Sequence, residues 1–207
     1  MNVVFLDSSV ELVPEEISGH PSVVKNARKF GKNPTEVLLD ISLHYYAMSK
    51  LSNKEKRGRP DILHNALTML LTYPSFQGEV YVHTVDSKII WVSSKMRPPK
   101  NYLRFVGLME QLLVNGRIPP TGDALMEVTN LTLSEVVKDE GLIVLDEKGD
   151  RTDANSLCQR REFIGIGAFP HGDFSEEVKR SSKTFLSVSD KVLETQHVVC
   201  KLLSACF

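Results

Sequence analysis

Residues 161–174 read Arg-Glu-Phe-Ile-Gly-Ile-Gly-Ala-Phe-Pro-His-Gly-Asp-Phe. A short apolar strand, Phe163 to Gly167, carries two glycines and then turns through Pro170 and Gly172. Glycines at the carboxyl end of a parallel strand let a ligand approach the backbone closely. The spacing is not a dinucleotide fingerprint, because the third glycine position holds Pro170. No Gly-Lys-Ser/Thr follows to make a phosphate loop. Two readings stay open on these residues alone: a loop that holds a nucleoside-like ligand through backbone groups, and a plain strand-to-helix turn. His171 reads as a turn residue, since no second His or Cys stands at metal-ligand spacing, and no metal site is expected.

Outward from this segment, the pattern alternates strand and helix. Leu125 to Val128, Leu142 to Leu145 and Thr184 to Val188 read as short strands, with helical stretches at Ser134 to Lys138 and Glu176 to Arg180. A last helix is expected from about Lys191, with Val192, Val199, Leu203 and Cys206 on one stripe. Toward the N-terminus, Asn2 to Leu6 is a buried strand, His20–Pro21 opens a helix that stops near Gly31, and Leu43 to Leu51 looks helical. Pro60 suits a first helical turn before the apolar Ile62 to Leu71. Glu79 to His83 and Ile89 to Ser93 form a hairpin about Val85–Asp86–Ser87. Tyr102 to Val114 is an amphipathic helix ending at Asn115–Gly116, and 117–124 is a breaker segment. This alternation predicts an α/β fold with a mostly parallel sheet.

The 207 residues fit a single domain. The formal net charge is only -1, but Lys50 to Arg104 holds ten Lys/Arg against four Asp/Glu, which predicts a basic face. Within it lie two cationic clusters. In Lys56-Arg-Gly-Arg-Pro-Asp61, Asp61 sits in a first helical turn, where the helix dipole favours an anion and where it can hold an arginine by a bidentate bond. Arg97, Lys100 and Arg104 share one face if their helix begins near Pro98, a comb suited to phosphates. Each cluster also reads as a solvated surface. Cys158, Cys200 and Cys206 have no paired spacing, so neither a disulfide framework nor a zinc site is expected. Cys200 and Cys206 are expected in the core, and a reducing intracellular setting is the default. The sequence shows no signal peptide and no apolar run long enough for a membrane helix.

Four motifs in order, KRGRPDILHNALTMLL, RPPKNYLRFVGLMEQLL, FIGIGAFPHG and SVSDKVLETQHVVCKLL, resemble the small-subunit ribosomal-RNA pseudouridine N1-methyltransferases of the SPOUT superfamily. The resemblance covers nearly the whole chain. It implies a SPOUT-type sheet with an inserted hairpin and helical extension, a trefoil knot in the cofactor-binding half at about 125–207, and an RNA-facing segment at about 50–104. It also implies a homodimer with its site near the subunit interface, S-adenosyl-L-methionine as cofactor, small-subunit ribosomal RNA as partner, and an archaeal-type cytoplasmic protein.

By motif, Gly167, Gly172, Val188, Ser189, Asp190, Lys191, Val192 and Leu193 are implied to hold the cofactor, and Glu147 more loosely. Arg59, Arg97, Lys100 and Arg104 match the RNA-contacting cations, and Arg59 with Asp61 is the implied catalytic pair. Lys100 departs from the family's arginine, keeping the charge but losing the planar fork. Two other functions stay open: a ribosome-assembly factor that binds RNA through the same cations and whose catalysis is secondary, and an α/β enzyme acting on a small nucleotide, with the basic segment merely a surface.

Overall fold

Strand β1 (Asn2–Ser8) shows why the sheet forms where it does. Val3 and Phe5 face one hydrophobic cluster and Val4 and Leu6 the other, all fully buried. A strand whose two faces are both apolar belongs in the middle of a sheet covered on each side. The computed structural model describes all residues, Met1–Phe207.

After β1 come α1 (Glu15–Ser18), α2 (Pro21–Lys29), α3 (Ile41–His44) and α4 (Pro60–Thr72). The hairpin β2 (Val80–Thr84) and β3 (Ile89–Val92) leads to α5 (Tyr102–Asn115). Next are β4 (Arg117–Ile118), β5 (Met126–Thr129), α6 (Leu133–Val136) and β6 (Leu142–Arg151). The chain closes with β7 (Phe163–Gly167), α7 (Glu176–Ser181), β8 (Thr184–Ser187) and α8 (Thr195–Cys206). One eight-stranded sheet runs in the order β4-β5-β3-β2-β1-β7-β6-β8. The pairs β2–β1, β1–β7, β7–β6 and β6–β8 are parallel, and the β3–β5–β4 edge is antiparallel. Helices α4, α5 and α8 cover one face over a cluster of 30 buried residues, while Leu133, Val137 and Val178 cover the other. A third cluster, including Val13, Ile17, Val37 and Leu39, forms a satellite lobe over residues 13–51.

The α/β sheet and its element order match the sequence expectations; three details do not. Helix α5 starts at Tyr102 as expected, because Asn101 caps it by accepting from the Arg104 N–H, and the start near Pro98 that would align Arg97, Lys100 and Arg104 is not met. Helix α8 starts at Thr195, not Lys191. The Ser189 side chain accepts from the Lys191 N–H in a local turn that competes with helix, so Val192 is exposed and off the stripe. The stretch 43–51 is not one helix: α3 ends at His44 and a 3₁₀ turn covers Ala47–Lys50.

The cysteines differ most. Cys206 is bonded to Cys158, with Cα atoms 5.0 Å apart, and Cys200 is exposed because the buried stripe of α8 is Val199, Leu202 and Leu203. The disulfide closes a loop spanning 48 positions. In the chain-entropy account, a loop of that length contributes about 4 kcal/mol by restricting the unfolded chain.

Strand β6 also runs past Leu145. Leu145 and Asp150 both pair with Leu186, so residues 146–149 loop out of the ladder before pairing resumes. Gly149 makes this crossing. A Cβ there would stand 2.6 Å from the Leu186 nitrogen and the Phe185 carbonyl carbon, a distance no side chain tolerates.

Candidate active site

The carboxyl ends of β6, β7 and β8 open into a cleft of about 540 Å³. That volume is typical of small-molecule and cofactor sites, roughly 300–1,000 Å³. Parallel α/β sheets place their ligands at this edge because the chain must leave each strand there through a loop. Three loops form the wall: 145–148 after the first part of β6, 166–174 after β7, and 187–198 running from β8 into α8. Thr195 joins two of them by donating from Oγ1 to the Gly167 carbonyl at 2.7 Å. The opposite wall is the start of α4, with Arg59, Asp61, Ile62 and Asn65.

Most of the sequence-derived cofactor residues converge here. Glu147, Gly167, Gly172, Val188, Ser189, Lys191, Val192 and Leu193 line the cleft. Asp190 does not; the same local turn sends its side chain outward to Arg151, 3.3 Å away. Gly172 has φ of +105°, a conformation that disfavours any side chain, and a Cβ there would press on the Lys56 stem at 3.2 Å. Phe169 and Phe174 meet edge to face beside Gly167, closing the floor of the turn.

Of the RNA-facing residues, Arg59 and Asp61 belong to the cleft. Arg59 donates from Nε and Nη2 to the two Asp61 oxygens, each at 2.8 Å. That fork fixes the guanidinium, raises its pKa further and leaves Nη1 without a partner in the chain. Arg97, Lys100 and Arg104 are exposed and lie outside the cleft lining. With α5 starting at Tyr102, only Arg104 is helical, so the three do not form one comb. Arg97 instead curls onto the Ser94 and Met96 carbonyls.

The expected basic loop is largely neutralised. Arg57 makes a bidentate pair with buried Glu11, at 2.7 and 2.6 Å, and Lys56 donates to buried Asp7 at 2.7 Å. Asp7, with φ of 47°, lies next to the last residue of β1 and accepts from Ser175 N at 2.7 Å and Ser175 Oγ at 2.8 Å. His83 is fully buried, with Nδ1 3.4 Å from Asp7 Oδ1 and Nε2 3.2 Å from Glu177 Oε2. Sequence reading missed Asp7, Lys56 as an internal residue, Gly149 and Thr195. The one available signal was a carboxylate at the end of a buried strand, in Phe-Leu-Asp.

Burial alone would raise the Asp7 carboxyl. The His83 ring beside it, the hydrogen bond and charge of Lys56 and the Ser175 N–H outweigh it, and the group is held well below its ordinary 3.8. Because the folded-state value is depressed, its contribution to stability is complete above about pH 3.8 and is lost as pH falls toward the folded value. Asp7→Asn is therefore expected to cost about 3 kcal/mol at pH 7, since it leaves the Lys56 ammonium buried without its counter-charge. The gap to the parent should narrow below about pH 4 in denaturant unfolding. A gap independent of pH would mean that the carboxylate charge is not what stabilises.

Comparison with known proteins follows the same line. The family model described as EMG1/NEP1 methyltransferase matches residues 3–206. The chain is 54% identical over 209 residues to the Ribosomal RNA small subunit methyltransferase Nep1 of Saccharolobus solfataricus, covering 100% of this chain and 96% of that protein. It is 51% identical over 210 residues to the protein of the same name from Sulfurisphaera tokodaii, with the same coverage. Among solved structures, Archaeoglobus fulgidus Nep1 bound to S-adenosylhomocysteine superposes with a TM-score of 0.93 at 40% identity, over 99% of this chain and 97% of that one.

Proposed function

The chain belongs to the EMG1/NEP1 methyltransferase family, and we propose that it methylates N1 of a pseudouridine in small-subunit ribosomal RNA. It is an S-adenosylmethionine-dependent methyltransferase of small-subunit ribosomal RNA. The observation that carries the finer reading is the cleft itself: a glycine turn and two loops on one wall, a fixed arginine on the other. The residues fit the cofactor. The cleft has room for it, and Gly167, Gly172 and most of the 188–193 loop line it.

When bound, S-adenosylmethionine supplies an electrophilic methyl group on a sulfonium centre. The chain must bring the acceptor nitrogen in line with it, and such orientation contributes about 7–11 kcal/mol in favourable cases. Pseudouridine carries a ring N1–H that uridine lacks. When that proton leaves, negative charge spreads over the ring, and the Arg59 guanidinium, held by Asp61, would stabilise it. The base must leave its stack to enter the cleft, which suits an unpaired loop. The direct test is mass spectrometry of small-subunit RNA carrying either pseudouridine or uridine at the target, after incubation with labelled cofactor. One added methyl on the pseudouridine RNA alone is expected; methylation of both, or of neither, overturns the N1 reading.

Arg97, Lys100 and Arg104 are proposed to contact RNA phosphates outside the cleft. RNA affinity should then fall with salt, and Arg97→Ala or Lys100→Ala should each shallow the log–log slope by about 0.7. A slope unchanged by both variants would remove these residues from the interface.

The homodimer, the trefoil knot and a cytoplasmic setting belong to the same proposal. Exposed Leu103 and Val192 offer apolar surface for a second copy. The close joining of the 188–195 segment to Gly167 is what a threaded terminal segment would make. A disulfide accords with a cytoplasmic protein where the source is a hyperthermophilic archaeon, since such intracellular proteins are disulfide-rich.

A further inference from the structure

Lys56 joins the glycine-turn wall of the cleft to the chain segment that leads into the other wall. Its backbone belongs to the segment that ends in Arg59 and Asp61, and its carbonyl accepts from Ser9 Oγ. Its ammonium donates to Asp7 Oδ2 at 2.7 Å and to the Asp173 carbonyl at 2.8 Å, and it lies 4.3 Å from the centre of the Phe169 ring. Its stem supports Gly172 from below. Phe169, Gly172 and Asp173 all belong to the glycine-turn loop, and Asp7 ties the far end of that loop through Ser175. The Lys56 side chain is only 11% exposed.

We propose that Lys56 is a positioning residue that couples the two half-sites, so that donor binding in the glycine-turn loop and RNA binding beside Arg59 each strengthen the other. The inference rests on the reading above, that this cleft holds the donor and Arg59 faces the RNA. Its physical basis is that the loop and the Arg59 segment share one ammonium. Ordering either wall fixes Lys56 and removes part of the ordering cost of the other. Linkage requires the effect to be reciprocal. A purely structural ion pair would change stability and leave that reciprocity alone.

Isothermal titration of S-adenosylhomocysteine, with and without a synthetic hairpin carrying pseudouridine in its loop, measures the coupling. In the parent, each ligand is expected to bind at least about fivefold tighter in the presence of the other, by the same factor. In Lys56→Met the ratio should fall to near one, with S-adenosylhomocysteine affinity reduced and hairpin affinity in its absence within about twofold of the parent. Because Lys56→Met leaves Asp7 buried and unpaired, the Asp7→Asn/Lys56→Met double variant is the second arm; it removes both charges together. Thermal melting establishes that each variant is folded. A folded double variant that keeps the parent's ratio overturns the proposal, as does a parent ratio of one. A parent that binds no S-adenosylhomocysteine sinks the cofactor reading and this inference with it, whereas a coupled parent with a coupled variant sinks only the role of Lys56.

Discussion

Replacing Arg59 by alanine is expected to lower single-turnover methylation of the RNA by a factor of about 10²–10³, with S-adenosylhomocysteine affinity unchanged. Arg59 is the arginine of the cleft lining, held by Asp61 on the wall opposite the glycine turn. Its guanidinium reaches the cleft already oriented, because Asp61 holds Nε and Nη2 while Nη1 stays open. A donor fixed before the reaction costs no reorganisation when charge develops, which is why one such group carries so much of the rate. Arg59→Lys keeps the charge but loses the fork onto Asp61, so an intermediate rate is expected. The pair is about 40% exposed, and its ion-pair contribution to folding is small. Both variants should therefore melt near the parent temperature, which separates a catalytic loss from a folding loss. A rate within tenfold of the parent for Arg59→Ala would move the charge-stabilising role elsewhere.

The second large effect lies outside the chemistry. Gly149→Val is expected to destabilise the protein by about 3 kcal/mol, because a Cβ at that position meets the β8 backbone and backbone cannot step aside as a side chain can. For a domain of this size that lowers the melting temperature by about 10 °C. The displaced Asp146–Lys148 loop walls the cleft, so S-adenosylhomocysteine affinity should fall with it. Gly107→Ala is the control. It lies on α5 with no atom within 4 Å of its would-be Cβ and should be neutral or stabilising. Equal melting temperatures for the two variants would refute the crossing as the reason for the glycine.

The strands were legible because burial on both faces writes itself as an apolar run, as in Val3–Leu6 and Phe163–Ile166. The glycine turn was legible as a ligand-approach site, but its donor meaning came from the order of the four motifs rather than from its own residues. What escaped reading depends on contacts distant in sequence. Lys56 and Asp7 are 49 positions apart, and Arg57 and Glu11 are 46 apart. Nothing local distinguishes an internal cation from a solvated one, so a loop that turned inward was read as a basic surface. Gly149 sits in Asp-Glu-Lys-Gly-Asp-Arg, whose polarity says turn although the chain is crossing a strand. Asp190 stands outside the cleft lining, beside the local turn in which the Ser189 side chain accepts from the Lys191 N–H.

The bond between Cys158 and Cys206 encloses β7, α7, β8 and α8, and with them two of the three loops that wall the cleft. A protease that nicks the exposed turn near Asp173 would therefore leave two fragments still tied as one molecule. The nicked protein should migrate as a single chain until a reductant is added. Damage in an exposed loop of the site is in this way kept from becoming loss of the site.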